Sequence, residues 1–466
     1  MNSTKINKYV ESILTLPLGK GLLLRDIVDQ INDQKGRAFL IGGAVRDLVL
    51  DKKLKDVDIE VHGLTLDQLE KILEHYGPVR KVGKSFGVLR IDGVDIDWSL
   101  PRSDSAGRKP QVTVDPHMDI KNAFERRDLT MNAMGINLHT RELIDPFQGL
   151  KDSKEKTLRA PNLDLFIEDP LRFFRVMQFI SRFEMMPDKE LERVCKTMDL
   201  STISTERIDD EFKKLLLKSR RPSLGIRWFH DIGRLKEILP ELAATIDVPQ
   251  RPDYHPEGDL FEHSMQTLDA AAALEYESDE IKLMQLYAAL FHDLGKITTT
   301  KKVDGIWKAH GHAQAGVAPV KKALKKITNK IDFIKPITKL IHYHMHPGQY
   351  IDNKAGAASY KRLAHKLAPE ANIKMLARLH LADLRGRNPQ KGEPLTADMP
   401  DTQTFIANAQ KAGVFEKPEP PILLGKDFLD VVEPGPQLGE LVEKAYRIQI
   451  DKGVKDKDEL KKRVLS

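Results

Sequence analysis

Hydrophobic and polar positions near the start of the chain predict a strand, a glycine turn and a helix. The apolar run from Ala38 to Ile41 ends at two adjacent glycines, Gly42 and Gly43. Residues 44–50 then place their apolar side chains at helical spacing. Residues 57–61 alternate apolar and acidic side chains, which is typical of a strand with one polar face.

A hairpin is predicted around Asp92-Gly93, because this dipeptide lies between two alternating runs, Val88 to Ile91 and Val94 to Trp98. The hairpin adds a second acidic strand to the same sheet. The segment from Ser99 to Lys121 is rich in proline, glycine and charge, so it is predicted to be a flexible loop.

The periodicity changes along the chain. Strands and helices alternate up to about Ala160, whereas nearly every periodic segment from Asp164 onward is helical. This pattern predicts an α/β head with a small mixed sheet, followed by an all-α neck, body and tail. The predicted boundaries are a helical extension at 1–35, the head at 36–160, the neck at 161–240, a helical domain at 250–390 and a helical tail at 391–466.

The acidic strands predict a metal site. Asp56 and Asp58 lie two residues apart on a strand, so both carboxylates project from one face and repel each other unless a cation is bound. Asp97, or less favourably Asp95, supplies a third carboxylate from the hairpin. We interpret Asp95 as part of a solvated edge. Three such carboxylates suit two-metal phosphoryl transfer, in which the ions lie roughly 3.5 to 4 Å apart.

Two basic motifs are candidates for nucleotide contacts. The Gly42-Gly43 turn lets the backbone approach a phosphate, and Arg46 adds a cation. In Arg126-Arg127-Asp128, the arginines suit phosphate and the carboxylate suits ribose hydroxyls. Taken alone, that triplet is more often a charged surface turn.

A third motif lies at a predicted helix start, in Glu168-Asp169-Pro170-Leu171-Arg172. Asp169, Arg172 and Arg175 are three residues apart and share one face of the helix. A capped helix start with local ion pairs explains the spacing of these three residues equally well.

Together and in order, these motifs resemble the signature of the class II tRNA nucleotidyltransferases, the CCA-adding enzymes. The resemblance implies a nucleotidyltransferase head with a polymerase-β-like palm, and a neck that selects nucleotides and binds RNA. Glu206 and Arg207 would then support the selecting helix, although a capping box at Thr205 fits that segment equally well. The predicted catalytic residues are Asp56, Asp58 and Asp97, with Mg²⁺ on Asp56 and Asp58, and the predicted nucleotide contacts are Gly43, Arg46, Arg127, Asp128, Asp169, Arg172 and Arg175.

A second constellation lies in the C-terminal half, where His263, His292-Asp293 and Asp383 follow the order His, His-Asp, Asp. Imidazole and carboxylate suit a divalent metal, and helices of a bundle can bring such ligands together. With its flanking Leu-Phe and Leu-Gly-Lys, the His-Asp pair resembles the HD phosphohydrolases. The resemblance implies hydrolysis of phosphomonoesters and cyclic phosphates with Mg, Mn, Ni or another divalent ion.

Five more histidines cluster nearby in sequence: His310, His312, His342, His344 and His346. His312 and His344 are the better candidates for further ligands of the HD metal site, while we interpret His342 and His346 as exposed or capping side chains.

Composition is compatible with an RNA partner without requiring one. Lys plus Arg number 74 against 69 for Asp plus Glu, a net charge of +5. Cys195 is the only cysteine, so no intrachain disulfide is possible and a cytoplasmic location is expected. No apolar stretch approaches the roughly 20 residues of a membrane span. We expect no membrane or DNA partner, and a monomer or homodimer.

The leading hypothesis is untemplated addition of C, C and A to the 3′ end of tRNA from CTP and ATP, with an additional HD phosphatase and 2′,3′-cyclic phosphodiesterase activity. Enzymes that add only CC or only A share the motifs. A bacterial poly(A) polymerase is an alternative, but residues 80–87 lack the basic signature associated with it. From another class, the chain could be mainly an HD hydrolase with an RNA-binding head.

Overall fold

The computed structural model describes residues 3–19, 21–53, 56–82, 87–104 and 112–466. Lys55, residues 83–86 of the segment compared with poly(A) polymerases, and residues 105–111 of the predicted loop lie outside the described residues. The chain forms two compact units, Met1–Arg207 and Ile208–Ser466.

The first unit is built on a mixed sheet of seven strands in the order β11-β10-β3-β4-β7-β6-β5. Only β4 and β7 run parallel in this sheet; the other neighbours are antiparallel. The strands of the unit are β1 (Pro17–Gly19), β2 (Leu22–Leu23), β3 (Arg37–Ile41), β4 (Val57–His62), β5 (Val79–Val82), β6 (Val88–Ile91), β7 (Ile96–Ser99), β8 (Arg102–Asp104), β9 (Val112–Val114), β10 (Gly135–Asn137), β11 (Leu143–Ile144), β12 (Thr157–Leu158) and β13 (Met186–Pro187).

The helices of the first unit pack on this sheet or follow it in sequence. A 3₁₀ turn at Thr130–Asn132 precedes β10. The helices are α1 (Ser3–Leu14), α2 (Leu24–Asp33), α3 (Gly43–Val49), α4 (Leu66–Glu74), α5 (Ile120–Glu125), α6 (Gly149–Lys154), α7 (Leu163–Ile167), α8 (Leu171–Phe183) and α9 (Lys189–Thr197).

The predicted strand, glycine turn and helix are confirmed as β3, Gly42 and α3, and the predicted hairpin is confirmed as β6 paired with β7. The predicted loop is only partly irregular, because β8 and β9 pair antiparallel within it. The β-branched residues of Val112–Val114 favour an extended backbone there.

The second unit is almost entirely helical. Its helices are α10 (Thr205–Lys218), α11 (Ser223–Asp231), α12 (Leu235–Ile238), α13 (Pro240–Ala243), α14 (Leu260–Ala272), α15 (Asp279–Phe291), α16 (Lys296–Thr299), α17 (His312–Ala315), α18 (Val317–Ile327), α19 (Ile331–Tyr343), α20 (His346–Asp352), α21 (Ala357–Leu367), α22 (Ile373–Arg385), α23 (Pro400–Lys411), α24 (Pro436–Lys452) and α25 (Lys457–Leu465), of which α10 contains the boundary between the units. A 3₁₀ turn, Gly425–Phe428, precedes α24.

One strand pair interrupts the helices of the second unit: β14 (Lys301–Val303) and β15 (Ile306–Lys308) form an antiparallel hairpin. The sequence analysis did not predict this hairpin. Among these helices, α14 packs against both α15 and α22, and α15 also packs against α19. Every residue of α14 is buried, so α14 is the centre of this bundle. No helix among the described residues combines the length and apolarity that crossing a membrane would need.

Candidate functional site

The glycine turn after β3 lies against an arginine from a distant part of the chain. Gly42 has a φ of +63°, a conformation that residues with a Cβ rarely adopt. A Cβ at this position would lie 3.0 Å from Nη1 of Arg127. Glycine is therefore required both by the backbone conformation and by the close approach of the Arg127 guanidinium.

The parallel strands β4 and β7 bring two of the predicted carboxylates together. Asp58 and Asp97 are register partners, so their side chains project from the same face of the sheet. Burial, followed by the charges of Asp97 and Asp56, raises the pKa of Asp58 against the opposing effect of Arg127. A divalent cation would relieve this repulsion, so these carboxylates fit a metal ion.

Arg90 on β6 already pairs with the acids of the hairpin. Its Nη2 lies 2.6 Å from Oδ1 of Asp97, and its Nη1 lies 3.2 Å from Oδ1 of Asp95. The side chain of Asp95 is 83% exposed, whereas that of Asp97 is 34% exposed. Arg90 therefore offsets the negative charge of Asp97. The sequence analysis did not single out Arg90, although its position between alternating apolar residues placed it on the polar face.

A buried acid on β4 holds both arginines of the Arg-Arg-Asp motif. Oε2 of Glu60 lies 3.6 Å from Nη2 of Arg126 and 3.5 Å from Nη2 of Arg127. Its other oxygen lies 3.1 Å from Nε2 of His62. Burial alone would raise the pKa of Glu60, but His62 and the two arginines lower it below its usual value. Glu60 and His62 were missed, because nothing in their spacing links them to residues more than 60 positions later.

One cavity of about 230 Å³ is lined by acids and arginines of this region: Asp58, Glu60, Asp97, Arg102, Arg126 and Arg127. It combines the predicted metal ligands Asp58 and Asp97 with the predicted phosphate contact Arg127. Asp56 is exposed just before β4 and is not part of the cavity lining. Carboxylates facing arginines across one cavity can hold a cation and a polyphosphate together.

Arg46, a predicted nucleotide contact, is held by protein groups. Its guanidinium donates hydrogen bonds to Oδ1 of Asp47 at 2.8 Å and to Oδ1 of Asn132 at 3.0 Å. It also lies 4.9 Å from the centre of the Phe183 ring, and only 8% of the residue is exposed. Arg46 therefore links α3, which begins at Gly43, to the 3₁₀ turn that carries Asn132.

Asp128 is buried, and both of its carboxylate oxygens accept hydrogen bonds. Oδ1 accepts from Nδ2 of Asn132 at 2.9 Å and from the backbone N–H of Leu129 at 2.8 Å. Oδ2 accepts from Nε of Arg175 at 2.6 Å. Burial opposes ionisation, but Arg175 and Asn132 lower the pKa of Asp128 below its usual value. Asp128 and Arg175 therefore fix the start of α8 against the Arg-Arg-Asp segment.

Asp169 and Arg172 lie at the start of α8. Asp169 is half-exposed and accepts a hydrogen bond from Nη2 of Arg207 at 3.1 Å. Arg172 donates to the backbone carbonyls of Leu165 and Arg126. The segment predicted to support the selecting helix thus contacts that helix through Arg207, whereas Glu206 is exposed.

The histidines and acids of the second constellation come together in the second unit. His263 lies on α14, His292 and Asp293 follow α15, His312 begins α17, His344 follows α19 and Asp383 lies on α22. Five helices thus supply one cluster, and every member is buried.

Asp293 lies between two halves of this cluster. Its Oδ2 is 3.2 Å from Nε2 of His292 and 3.8 Å from Nε2 of His263. Its Oδ1 is 3.2 Å from Nε2 of His312 and 3.4 Å from Nε2 of His344. Each set of Asp293 with one histidine pair has its ligand atoms within 4.8 Å of one another. Asp383 joins the first half, because its Oδ1 lies 3.1 Å from Nε2 of His263.

The histidine rings are oriented as metal ligands require. Nδ1 of His292, His312 and His344 lies 2.9, 2.7 and 2.6 Å from a backbone carbonyl three residues earlier. These contacts place the proton on Nδ1 and leave the Nε2 lone pair directed at Asp293. Nδ1 of His263 lies 2.7 Å from Glu257 instead. The donor set and its orientation fit a divalent metal ion.

Three residues around the cluster were missed as contributors. The buried Glu257 has its pKa lowered to about 2, because hydrogen bonds from His255 and His263 outweigh its burial. Nζ of Lys296 lies 2.7 Å from Oδ2 of Asp293, and Nη2 of Arg387 lies 2.9 Å from both oxygens of Asp383. The His-x-Glu spacing of His255 and Glu257 before α14 was the available signal for Glu257.

The remaining histidines are arranged differently. His342 and His346 are half-buried and contact the ring of Tyr343, and neither belongs to a group of clustered metal-binding side chains among the described residues. A cavity of about 490 Å³ adjoins the cluster and is lined by Asp293, His312, His344 and Asp383 among others. A cavity of this volume suits a ligand the size of a nucleotide.

Two family models match the chain: residues 38–159 match the poly A polymerase head domain, and residues 260–383 match the HD domain. The chain is 31% identical over 364 residues to the multifunctional CCA protein of Pasteurella multocida, a match covering 75% of this chain and 84% of that protein. It is 32% identical to the multifunctional CCA protein of Chromobacterium violaceum, covering 81% and 93%.

Solved structures share the fold. The Thermotoga maritima CCA-adding enzyme complexed with tRNA superposes with a TM-score of 0.60 at 20% identity, covering 99% of this chain and 98% of that one. The Bacillus stearothermophilus CCA-adding enzyme in complex with CTP gives a TM-score of 0.63 at 18% identity, covering 94% and 95%. The predicted architecture, a nucleotidyltransferase head with a mixed sheet followed by a helical body, is confirmed.

Proposed function

Because this chain belongs to the family of multifunctional CCA proteins, we propose that it adds C, C and A to the 3′ end of tRNA from CTP and ATP. This membership confirms the family predicted from the motifs. The observation that carries the proposal is the cavity in which Asp58 and Asp97 face Arg127 beside the Gly42 turn. Acids for a cation and an arginine for a polyphosphate are what nucleotidyl transfer requires.

In this proposal, Asp56, Asp58 and Asp97 hold Mg²⁺. When bound, the metal would lower the pKa of the tRNA 3′-hydroxyl and neutralise charge on the triphosphate. Arg127, held in place by Glu60, contacts the phosphates. Arg46 holds α3, which follows the glycine turn, against the 3₁₀ turn through its hydrogen bond to Asn132.

We propose that residues at the start of α8 select the incoming nucleotide. Asp169 and Arg172 present an acceptor and donors for the edge of cytosine or adenine, and each such bidentate contact is worth roughly 1 to 3 kcal/mol of discrimination. Asp128 and Arg175 hold this helix against the Arg-Arg-Asp segment. Because both oxygens of Asp128 already accept hydrogen bonds, its contribution to ribose binding is mainly the positioning of its neighbours.

One assay tests the transfer activity. CTP alone, ATP alone or both are supplied to tRNA ending before the first C, before the second C or before A. We expect CTP to extend the first two substrates, ATP to extend the third, and both nucleotides to complete the end. A CC-adding enzyme would stop before A, an A-adding enzyme would extend only the third substrate, and a poly(A) polymerase would add a run of A to every end.

We further propose that the cluster around Asp293 is a divalent-metal phosphohydrolase site acting on phosphomonoesters and 2′,3′-cyclic phosphates. His263, His292, Asp293 and Asp383 would hold one ion, and Asp293, His312 and His344 a second. When bound, the ions would activate water and stabilise charge on the phosphate. Lys296 and Arg387 fix the two carboxylates, and Glu257 keeps His263 in the orientation that directs Nε2 at the cluster.

Metal stoichiometry tests this arrangement. We expect the full chain to bind up to two Mn²⁺ or Ni²⁺ ions per cluster, Asp293→Ala to bind neither tightly, and His344→Ala to lose only one. Titration calorimetry and metal analysis after gel filtration measure both. His342→Ala, from the same helix but outside the cluster, is the matched control and should bind as the unaltered chain does. Unchanged binding and hydrolysis in Asp293→Ala would refute the proposed site.

A further inference from the structure

The β14–β15 hairpin lies beside the cluster around Asp293 and lines the adjoining cavity through Trp307 and Lys308. Asp304 and Gly305 at its turn have φ values of +52° and +79°, the positive pair that a tight two-residue hairpin requires. Val303 pairs with Ile306, and Lys302 pairs with Trp307. The backbone pairing thus fixes the position of Trp307.

The hairpin leads directly into a metal-binding residue. Lys308 ends β15, and the carbonyl of Ala309, the next residue, lies 2.7 Å from Nδ1 of His312. Trp307, Lys308 and His312 all line the cavity of about 490 Å³ next to the cluster. The hairpin therefore places an aromatic ring and a cation in the cavity that contains Asp293.

A second aromatic side chain lines the same cavity. Tyr254 lies in the segment before α14 and is 55% exposed, so burial in the protein core does not explain it. The guanidinium of Arg251 lies 4.7 Å from the centre of its ring, and Arg251 also lines the cavity. Arg251 thus lies over one face of the ring, and it also pairs with Asp253 at 3.0 Å. An exposed ring with a cation over one face is suited to stacking a nucleobase on its other face, with the cation close to a phosphate.

We propose that Trp307 and Tyr254 form a nucleobase-binding wall, so that the phosphohydrolase site is specific for the terminal nucleotide of an RNA and not for phosphate esters in general. This inference rests on the proposed hydrolase function. The base stacks on the wall while Lys308 and Arg251 contact the backbone phosphate. Hydrolysis of the cyclic ester adds one water, breaks one phosphorus–oxygen bond to the ribose, and leaves a phosphomonoester with a free hydroxyl.

Base dependence tests the wall in the full chain loaded with Mn²⁺. The substrates are adenosine 2′,3′-cyclic phosphate and methyl riboside 2′,3′-cyclic phosphate, which lacks a base. We expect Trp307→Ala and Tyr254→Ala to raise KM for the adenosine ester about tenfold, the order expected from losing one stacked base, with kcat within about twofold. KM for the base-free ester should not change. Trp307→Phe, which keeps an aromatic ring, should restore most of the affinity, and Val303→Ala on the same hairpin is the matched control.

Binding can be followed without turnover. The chain has three tryptophans, and Trp98 and Trp228 are 0% and 1% exposed, so a bound base should quench mainly Trp307. We expect adenosine 3′-monophosphate to quench the fluorescence of the unaltered chain but not of Trp307→Phe.

The outcomes separate the two proposals. If neither ester is hydrolysed, the proposed hydrolase function is wrong. Trp307-dependent quenching by adenosine 3′-monophosphate would then still support the nucleobase-binding wall, and its absence would exclude the wall. Suppose instead that both esters are hydrolysed, that KM is unchanged in both alanine variants and that no quenching depends on Trp307. The proposed nucleobase-binding wall is then wrong, while the proposed hydrolase function is supported.

Discussion

At the scale of single residues, Asp58 shows the conflict between stability and function most directly. Its pKa is raised by burial and by the charges of Asp97 and Asp56, so the carboxylate is held in an unfavourable place in the absence of a metal ion. We expect Asp58→Asn to lower incorporation of labelled CTP into tRNA lacking its CCA end by on the order of a hundredfold or more, as for other charge-stabilising groups. Thermal unfolding should show no loss of stability, because like-charge repulsion is removed.

The control for this substitution is Asp95→Asn on the neighbouring hairpin. Asp95 is 83% exposed and contacts Arg90 alone among the described residues, so its replacement should leave both incorporation and the unfolding temperature nearly unchanged. Equal losses of activity in the two variants would mean that general charge, and not the position of Asp58, determines the rate.

Single residues also show what a sequence can predict. Asp56, Asp58 and the histidines of the HD pattern belong to short motifs with regular spacing, so they can be recognised from the order of residues alone. Supporting residues such as Glu60 cannot, because Glu60 contacts Arg127 across the fold. The anchoring of Arg46 by Asn132, which lies 86 positions later, is equally invisible in the motif of Arg46.

At the scale of elements, an ion pair joins the starts of α8 and α10, which in our proposal select the nucleotide together. Arg207 on α10 donates to Asp169 at the start of α8. We expect Asp169→Ala to reduce the ratio of kcat/KM for CTP over UTP by about 5- to 150-fold, equivalent to roughly 1 to 3 kcal/mol. Arg207→Ala should have a smaller effect in the same direction, because an exposed ion pair contributes about 0 to 1 kcal/mol.

The matched control for Arg207 is Arg193→Ala, which removes an exposed arginine whose ion pair with Glu190 lies within α9. This variant should keep the discrimination of the unaltered chain. An unaltered CTP preference in Asp169→Ala would exclude the start of α8 as the selecting element.

A buried acid also joins α11 to α14 in the second unit. Asp269 accepts hydrogen bonds from the backbone N–H and hydroxyl of Ser223 at 2.9 and 2.6 Å, yet burial raises its pKa to about 6. Because the folded-state pKa lies above the ordinary value of 3.8, folding favours the protonated form. The contribution of this group to stability is therefore complete below about pH 3.8 and is lost as the pH rises to about 6.

We expect Asp269→Asn to remove this dependence. The difference in unfolding free energy between the variant and the unaltered chain should change by on the order of 2 to 3 kcal/mol between pH 4 and pH 6, in favour of the variant at the higher pH. Urea unfolding across this range measures it. A difference that does not change with pH would mean that folding does not raise the pKa of Asp269.

Helices and strands were predicted where the alternation of apolar and polar residues extends over many positions, and they were missed where it covers only a few. The hairpin at Asp92-Gly93 was recognised from its turn dipeptide, yet the same type of signal at Asp304-Gly305 was overlooked because the surrounding periodicity is helical. Strands of two residues, such as β12 and β13, contain too few positions to establish a period of two.

At the scale of the whole molecule, the packing of the N-terminal helices differs from the domain boundary that the sequence predicts. The helices α1 and α2 look like a separate extension in sequence, but Val10, Ile13 and Ile27 belong to the same hydrophobic core as Ile59 and Trp98 of the sheet. Removing the first helix would therefore expose part of the core of the head.

One proposed activity forms a phosphodiester bond at the end of an RNA, and the other hydrolyses phosphate esters there. Together they predict a behaviour of the complete chain. A tRNA ending in a 2′,3′-cyclic phosphate has no free 3′-hydroxyl, so the head cannot extend it until the phosphohydrolase site has opened the ring and removed the phosphate. We expect the unaltered chain with Mn²⁺ and Mg²⁺ to incorporate labelled CTP into such a tRNA after a lag. Asp293→Ala should fail on this substrate but extend tRNA with a free hydroxyl normally, whereas Asp58→Asn should open the ring and extend neither. Immediate extension of the blocked tRNA by Asp293→Ala would show that the two sites do not act in sequence.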